Sequence, residues 1–415
     1  MSLFTFLLIS VSVILGVTLI LVALLLYARR KLLPGGRVTL TVNGEKSISV
    51  EPGDSLLATL AGQGIYLPSA CGGTGTCGLC KCRILSGGGS IQSTETVFFT
   101  RREQQNQWRL ACRVKIKEDM EVQIPAEVLG IKKWECEVVS NRNLTSLIKE
   151  LVIKLPEGEI LNFRPGGYVQ IDVPPVSIDF SKDIRIDTPF MDSWKSFGFE
   201  GLKMVNKEYG FRAYSMANHP AEGNVIVLNI RIAPPPWDRS RGTYMKVNPG
   251  VCSSYVFSLK PEDKVKVSGP YGDFFLKDTP NEKVFIGGGA GMAPMRSHIF
   301  HLFKTLKTKV KVSYWYGARS RKEIFYEDEF RAIETAFPNF SFHIALSDPQ
   351  PDDNWDGPEG FIHQVLFDNY LQKHPEPEEA EYYLCGPPLM TSAVIHMLDN
   401  LGVPKDHILF DDFGG

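Results

Sequence analysis

The stretch Ser69–Cys82, SACGGTGTCGLCKC, gathers four of the chain's eight cysteines among glycines. Five residues separate Cys71 from Cys77, two separate Cys77 from Cys80, and Cys112 follows in the later run RLACRV. Clustered thiols have three uses: a disulfide knot, a zinc site or an iron–sulfur cluster. Structural zinc is usually held by two CxxC pairs or by cysteines with histidines, whereas this loop has one CxxC and no nearby histidine. A 2Fe–2S cluster takes four thiolates, three from a loop and one from downstream. Gly72, Gly73, Gly75 and Gly78 would then let backbone amides approach the cluster sulfurs without Cβ clashes.

Other residues able to do chemistry lie further on. In Arg212-Ala213-Tyr214-Ser215 a cation and an aromatic stand two apart, so on a strand they share a face and suit one extended ligand. The bland reading is a surface arginine beside a core tyrosine. Gly250-Val251-Cys252-Ser253 leads into a helical-looking YVFSL, and a glycine-led helix N-terminus offers free amides to a phosphate. KVFIGGGAGMAP reads as a strand, a turn at Gly287, Gly288, Gly289 and Gly291, then a helix with Pro294 near N1, where a missing N–H costs little. It is not a strict GxGxxG, because Met292 takes the third glycine position. Cys385-Gly386-Pro387-Pro388 follows an apolar strand, and a buried structural cysteine is the plain alternative there.

These groups need elements to hold them. The chain has 415 residues, too many for one core. Residues 1–33 read as a transmembrane anchor, its helix over about 3–27: Leu3 to Tyr27 carries no charge and is long enough to cross a bilayer. Arg29, Arg30 and Lys31 follow it, so the positive-inside rule puts the soluble part on the cytoplasmic side. A signal peptide would carry its positives before the apolar run. Thiols stay reduced in that compartment, which removes the disulfide knot. A net charge of −2 leaves no basic footprint, so nucleic acid is excluded as a partner.

Residues 34–130 alternate like short strands, with one helix in DSLLATLAGQGI and Asp54 as its N-cap. Residues 131–277 have strand period throughout and read as an antiparallel β-barrel. Within them, residues 174–210 form a long, weakly patterned insertion, expected to serve partner contact or domain spacing rather than the barrel. Residues 278–415 alternate strand and helix, as an α/β nucleotide-binding domain does. The fold class is multidomain α+β.

CGGTGTCGLC…LACRV resembles a ferredoxin β-grasp domain of the 2Fe–2S type. That resemblance implies Cys71, Cys77, Cys80 and Cys112 as iron ligands; Cys82 competes with Cys112, but two positions after Cys80 it enters a strand and points away. RAYS, before an α/β domain, resembles the RxYS motif of the ferredoxin–NADP reductase superfamily. By that resemblance Arg212 pairs with the phosphates of FAD, Tyr214 lies against the isoalloxazine ring and Ser215 sits near its N5. Gly250, Cys252 and Ser253 take the pyrophosphate, and the glycine turn with Pro294, Cys385 and Gly386 takes NADH. Phe413, in the FDDFGG ending, covers the flavin face where nicotinamide stacks. Ser215, Cys385 and Phe413 are the expected catalytic residues. Arginines after the second strand, at 319 and 321, suit a 2′-phosphate and leave NADPH open; the family match favours NADH.

With the anchor, the insertion, RAYSMANHPAE and LFDDFGG together, the whole chain resembles the F subunits of the sodium-translocating NADH:quinone oxidoreductases. The resemblance implies an electron-input subunit with FAD between a hydride donor and a one-electron cluster. Electrons would pass to other membrane subunits and finally to ubiquinone. One helix without internal charge offers no sodium path of its own. The alternatives are a membrane-tethered reductase feeding an oxygenase, and a zinc-stapled adaptor without catalysis.

Overall fold

The N-terminal apolar run is one helix, Leu3–Leu32, in the computed structural model of the chain, which describes residues 3–32 and 36–411. The helix runs past the expected end near Tyr27. Its segment Ile9–Tyr27 has a mean hydropathy of 2.9 and none of it is buried against the rest. Such a helix satisfies its own backbone in hydrocarbon, as a membrane anchor must. Contacts divide the chain into two units, residues 1–69 with 73–130, and residues 70–72 with 131–415.

In the first unit five strands run in the order Lys46–Val50, Val38–Val42, Met120–Gln123, Lys81–Ser86, Trp108–Leu110. The first hairpin turns at Asn43-Gly44, both with positive φ, the pair that suits a tight turn between twisted strands. Val38–Val42 then pairs in parallel with Met120–Gln123, Leu40 opposite Met120. The helix Leu56–Gly62 buries Leu56, Leu57 and Leu60. Its N-cap is Ser55, not Asp54: the Ser55 hydroxyl accepts from Ala58 N–H at 3.2 Å. A buried ion pair, Arg109 with Glu95 at 2.8 Å, fixes the strand that leads to Cys112. Glu95 also accepts from Leu110 N–H, and Arg109 donates to the carbonyls of Gly88 and Gly89.

The second unit opens with a six-stranded antiparallel sheet in the order Gly210–Ser215, Tyr168–Val173, Lys264–Tyr271, Lys132–Asn143, Ile148–Lys154, Val225–Arg231. Its two edges meet: Met216 bridges Leu228, and Ala217 N–H donates to Val227 C=O at 2.7 Å. The sheet therefore curls on itself around Ile153, Val169, Ile171, Leu228, Ile230 and Val267, all without exposure. Residues 174–210 hold more regular structure than their weak pattern suggests. They fold into a two-stranded sheet, Val176–Asp179 with Lys203–Asn206, and short helices that include Met191–Ser196. Phe180, Trp194, Phe199 and Met204 belong to the same buried cluster as the barrel interior. The weak pattern reflects an aromatic core built from turns, which carries no single period.

Five parallel strands complete the unit, in the order Phe340–Leu346, Val312–Ala318, Lys283–Gly288, Glu381–Cys385, Ile408–Asp411. Alternate residues feed two cores: Phe285, Tyr314 and Tyr383 one, Ile286, Trp315 and Leu384 the other. Both faces are thus covered, which is why these strands read as unbroken apolar runs. Strand order reverses on either side of Lys283–Gly288, and ligands of such sheets bind at the carboxyl ends beside that point.

Candidate active site

At the carboxyl end of Lys283–Gly288 the chain turns through Gly289–Gly291 into the helix Met292–Phe300. Pro294 is the third residue of that helix rather than the first, still within the turn whose amides have no intrahelical acceptor. A Cβ on Gly291 would lie 2.1 Å from the carbonyl oxygen of Cys385. The turn therefore packs directly on the CGPP backbone, and only glycine allows it. Gly287 and Gly288 are buried beside it, close to Tyr314 and Met390. A cleft of about 690 Å³ opens over Gly288–Gly291, Gly317–Arg319 and Gly386–Met390, with Leu147 and Arg231 of the barrel also lining it. Arg319 at its mouth is bridged to Asp348 at 3.1 Å, and Lys322 to Asp352 at 3.6 Å.

Cys385 is fully buried at its strand end, paired in register with Gly287 on one side and Asp411 on the other. Asp411 reaches across to the barrel, where its carboxylate accepts from the Ser215 hydroxyl at 2.6 Å. Ser215, Cys385 and Asp411 are thereby brought to one place, where the last strand meets the end of Gly210–Ser215. Asp411 was missing from the expected set. Its signal was present, because it stands inside the same FDDFGG ending that pointed to Phe413. Phe413 itself lies outside the described residues.

Arg212 and Tyr214 lie two apart on Gly210–Ser215, opposite Ile171 and Val169. Arg212 is exposed and donates to Phe211 C=O at 2.8 Å. Tyr214 hydrogen-bonds the Cys252 thiol, and burial together with that thiol raises its pKa well above the usual phenol range. Burial likewise pushes Cys252 up to about 12, against the pull of Tyr214 and Arg212. Both are neutral at physiological pH.

Cys252 belongs to the helix Val251–Ser258, with Gly250 as N-cap. The first intrahelical bond runs from Ser254 N–H to Gly250 C=O, so the amides of 251–253 are left for an anion. Ser253 is less free than expected. Its hydroxyl donates to Gly250 C=O and accepts from Ala233 N–H, so its backbone amide is the group available to a phosphate. A positive helix end beside an exposed arginine fits the pyrophosphate of a flavin nucleotide.

In the cysteine loop, Gly72, Gly73, Gly75 and Gly78 all have positive φ. A Cβ on Gly78 would meet the Phe98 ring at 2.4 Å, so that position needs glycine twice over. Cys80 is buried and hydrogen-bonds Cys112; that bond, then burial, raises its pKa, with Cys77 near enough to add to the effect. Cys71, Cys77 and Cys112 are half-buried. Cys82 points the other way, into the core, 3.9 Å from Arg109 C=O, and burial pushes its thiol up to about 12 against the pull of Arg109. Among the described residues no three ligating side chains converge on one ion. A two-iron cluster asks instead for two thiolates on each iron, and the thiols of Cys80 and Cys112 lie close enough together to serve as such a pair. The donor set fits 2Fe–2S.

Three family models match the chain: a 2Fe-2S iron-sulfur cluster binding domain over residues 40–117, an oxidoreductase FAD-binding domain over 199–276 and an oxidoreductase NAD-binding domain over 285–396. The F subunit of the Na(+)-translocating NADH-quinone reductase of Marinomonas sp. (strain MWYL1) is 52% identical, covering 98% of this chain and 100% of its own. The protein of the same name from Psychrobacter cryohalolentis is 53% identical over 95% of each chain. Among solved structures, the ferredoxin reductase in carbazole 1,9a-dioxygenase superposes with a TM-score of 0.59 at 26% identity, covering 91% of this chain and 98% of its own. The Amycolatopsis cytochrome P450 reductase GcoB does so with a TM-score of 0.62 at 24% identity, over 91% and 98%, and at that identity speaks for the fold alone.

Proposed function

We propose, from the premise that the chain belongs to the family of F subunits of the Na(+)-translocating NADH-quinone reductase, a route for electrons through its own residues. The protein is the electron-input component of that reductase, with 2Fe–2S, FAD and NAD-binding domains in one chain. FAD supplies the change from a hydride pair to single electrons, and the two-iron cluster accepts one at a time.

In this reading the Gly287–Gly291 turn and the helix it opens hold the dinucleotide phosphates, and Cys385 and Gly386 shape the wall beside the nicotinamide. Ser215 and Asp411 stand where hydride passes, and their shared proton fixes the orientation of both. Arg212 and the amides of 251–253 bind the flavin pyrophosphate; Tyr214 lines the ring. Cys71, Cys77, Cys80 and Cys112 hold the cluster. Asp348 beside Arg319 supports NADH over NADPH, since a 2′-phosphate there would meet the carboxylate that already pairs with the arginine. The apolar N-terminal helix and the family name agree with a membrane anchor; the positive flank at 29–31 supports a cytoplasmic soluble part in the bacterial inner membrane. With Cys71, Cys77, Cys80 and Cys112 holding it, the cluster would supply single electrons for other subunits and, through them, for ubiquinone. The oxygenase-reductase alternative is not favoured, because the relatives matched over nearly the full chain carry the name of the quinone reductase component.

The contact between Ser215 and Asp411, next to buried Cys385, carries this reading. Anaerobic addition of NADH to the purified chain should bleach the flavin absorbance and then raise the EPR signal of a reduced cluster. Flavin bleaching with a silent cluster would refute the route, and a colourless protein would refute both cofactor sites.

A further inference from the structure

The segment 174–210 touches the helix Val251–Ser258 at both ends. At the entry, two residues before its N-cap, the Asn248 side chain accepts from Val205 N–H and donates to Val205 C=O, each at 2.9 Å. At the exit, Trp194 stacks on Phe257 with ring centres 6.1 Å apart and planes 14° off parallel. Trp194 is itself held by Phe180 at 6.1 Å and by the edge of Phe199 at 4.8 Å. Lys149, buried on the barrel strand Ile148–Lys154, completes the grip: its ammonium donates to Arg185 C=O of the segment at 2.6 Å and to Phe257 C=O at 3.2 Å. A cation on the last carbonyls suits the negative end of the helix.

The segment is in turn riveted to the barrel. Asn143 N–H donates to the Asp187 carboxylate at 2.9 Å and Asp187 N–H donates back to the Asn143 side chain at 3.2 Å. Asn141, also on the barrel, donates to the carbonyls of Val256 and Leu259. The helix is thus held between barrel and segment, with its first-turn amides left open. Nothing in the sequence spacing brings Asn248, Phe257 and Lys149 to a shared partner.

We propose that residues 174–210 are a positioning clamp that sets the affinity for FAD by fixing the axis of the helix whose N-terminus receives the pyrophosphate. Helix-end amides bind an anion only when they point at it, so a helix free to rock would bind the flavin nucleotide more weakly without losing its fold. The inference rests on the assignment of that helix to FAD, and the experiment separates the two.

Full-length variants N248A, K149M and V251D are purified in detergent. FAD-to-iron ratio after gel filtration, the flavin dissociation constant by fluorescence, and the melting temperature of the flavin-free protein are then measured. Asn248 is exposed, so N248A loses only its two bonds to Val205. The expected result is about a tenfold weaker FAD affinity in N248A, with flavin-free melting and iron content as in the wild type. N248D, which keeps the acceptor for Val205 N–H, should recover part of the loss. K149M should weaken FAD at least as much. V251D puts a negative charge on the first turn and should expel the flavin. If V251D loses FAD while N248A and K149M retain wild-type affinity, the clamp is overturned and the helix assignment stands. If V251D also retains it, the assignment falls and the clamp with it. Should K149M fail to fold, N248A alone decides.

Discussion

Gly291→Ala puts the dinucleotide turn to a sharp test. Gly291 has φ −61° and ψ −10°, a conformation alanine adopts without strain, so any effect is steric. The new methyl group would sit 2.1 Å from the Cys385 carbonyl oxygen, 2.4 Å from its carbonyl carbon and 2.7 Å from Gly386 N. All three are backbone atoms and cannot rotate aside. The turn and the Cys385-Gly386 strand end must therefore part by about 1 Å before ordinary contact is restored. Misplacement on that scale costs roughly 10²-fold in rate, or about 2.7 kcal/mol on the barrier. We expect kcat/KM for NADH with ferricyanide as acceptor to fall by about that factor, with flavin and iron contents unchanged. Gly289→Ala supplies the contrast. Gly289 has φ +56° and nothing within 4 Å of the added Cβ, so it should cost only about 1 kcal/mol of backbone strain. Wild-type kcat/KM in G291A would show that the close approach does not govern nicotinamide placement.

Two further expectations follow from buried thiols and a buried amine. Cys112→Ser should abolish the visible absorbance of the cluster while Cys82→Ser leaves it, since Cys112 bonds Cys80 and Cys82 faces the core; loss in Cys82→Ser with the absorbance kept in Cys112→Ser would make Cys82 the ligand instead. Lys149 is pushed down to about 8 by burial, with Asp187 opposing and Arg185 adding to the shift. The unfolded chain therefore holds a proton between about pH 8 and 10.5 that the fold has released, so this group makes stability rise with pH across that window, by about 3 kcal/mol at most. Urea unfolding of wild type and K149M at both ends of the window should show that slope in the wild type only; parallel curves would mean that Lys149 titrates normally.

The chemistry-bearing letters were legible because each signal is local. A CxxC among glycines, a glycine turn after an apolar strand and an uncharged N-terminal run state their purpose within a few residues. The covered parallel strands were legible for the same reason, since burial on two faces leaves an unbroken apolar run such as KVFIGG. Ser55 displaced Asp54 as the cap because one position decides which hydroxyl or carboxylate reaches the third amide, finer than periodicity resolves. Residues 174–210 were read as a weakly patterned insertion because turns and short helices have no common period.

What the sequence determined by itself was the order of the modules and the reactive groups each one carries, for those depend on residue type and near spacing. Tertiary structure decided which distant groups meet: Asp411 with Ser215, Trp194 with Phe257, and Cys112 rather than Cys82 with Cys80. Such meetings are set by how strands curl and sheets stack, and chain distance carries no record of that.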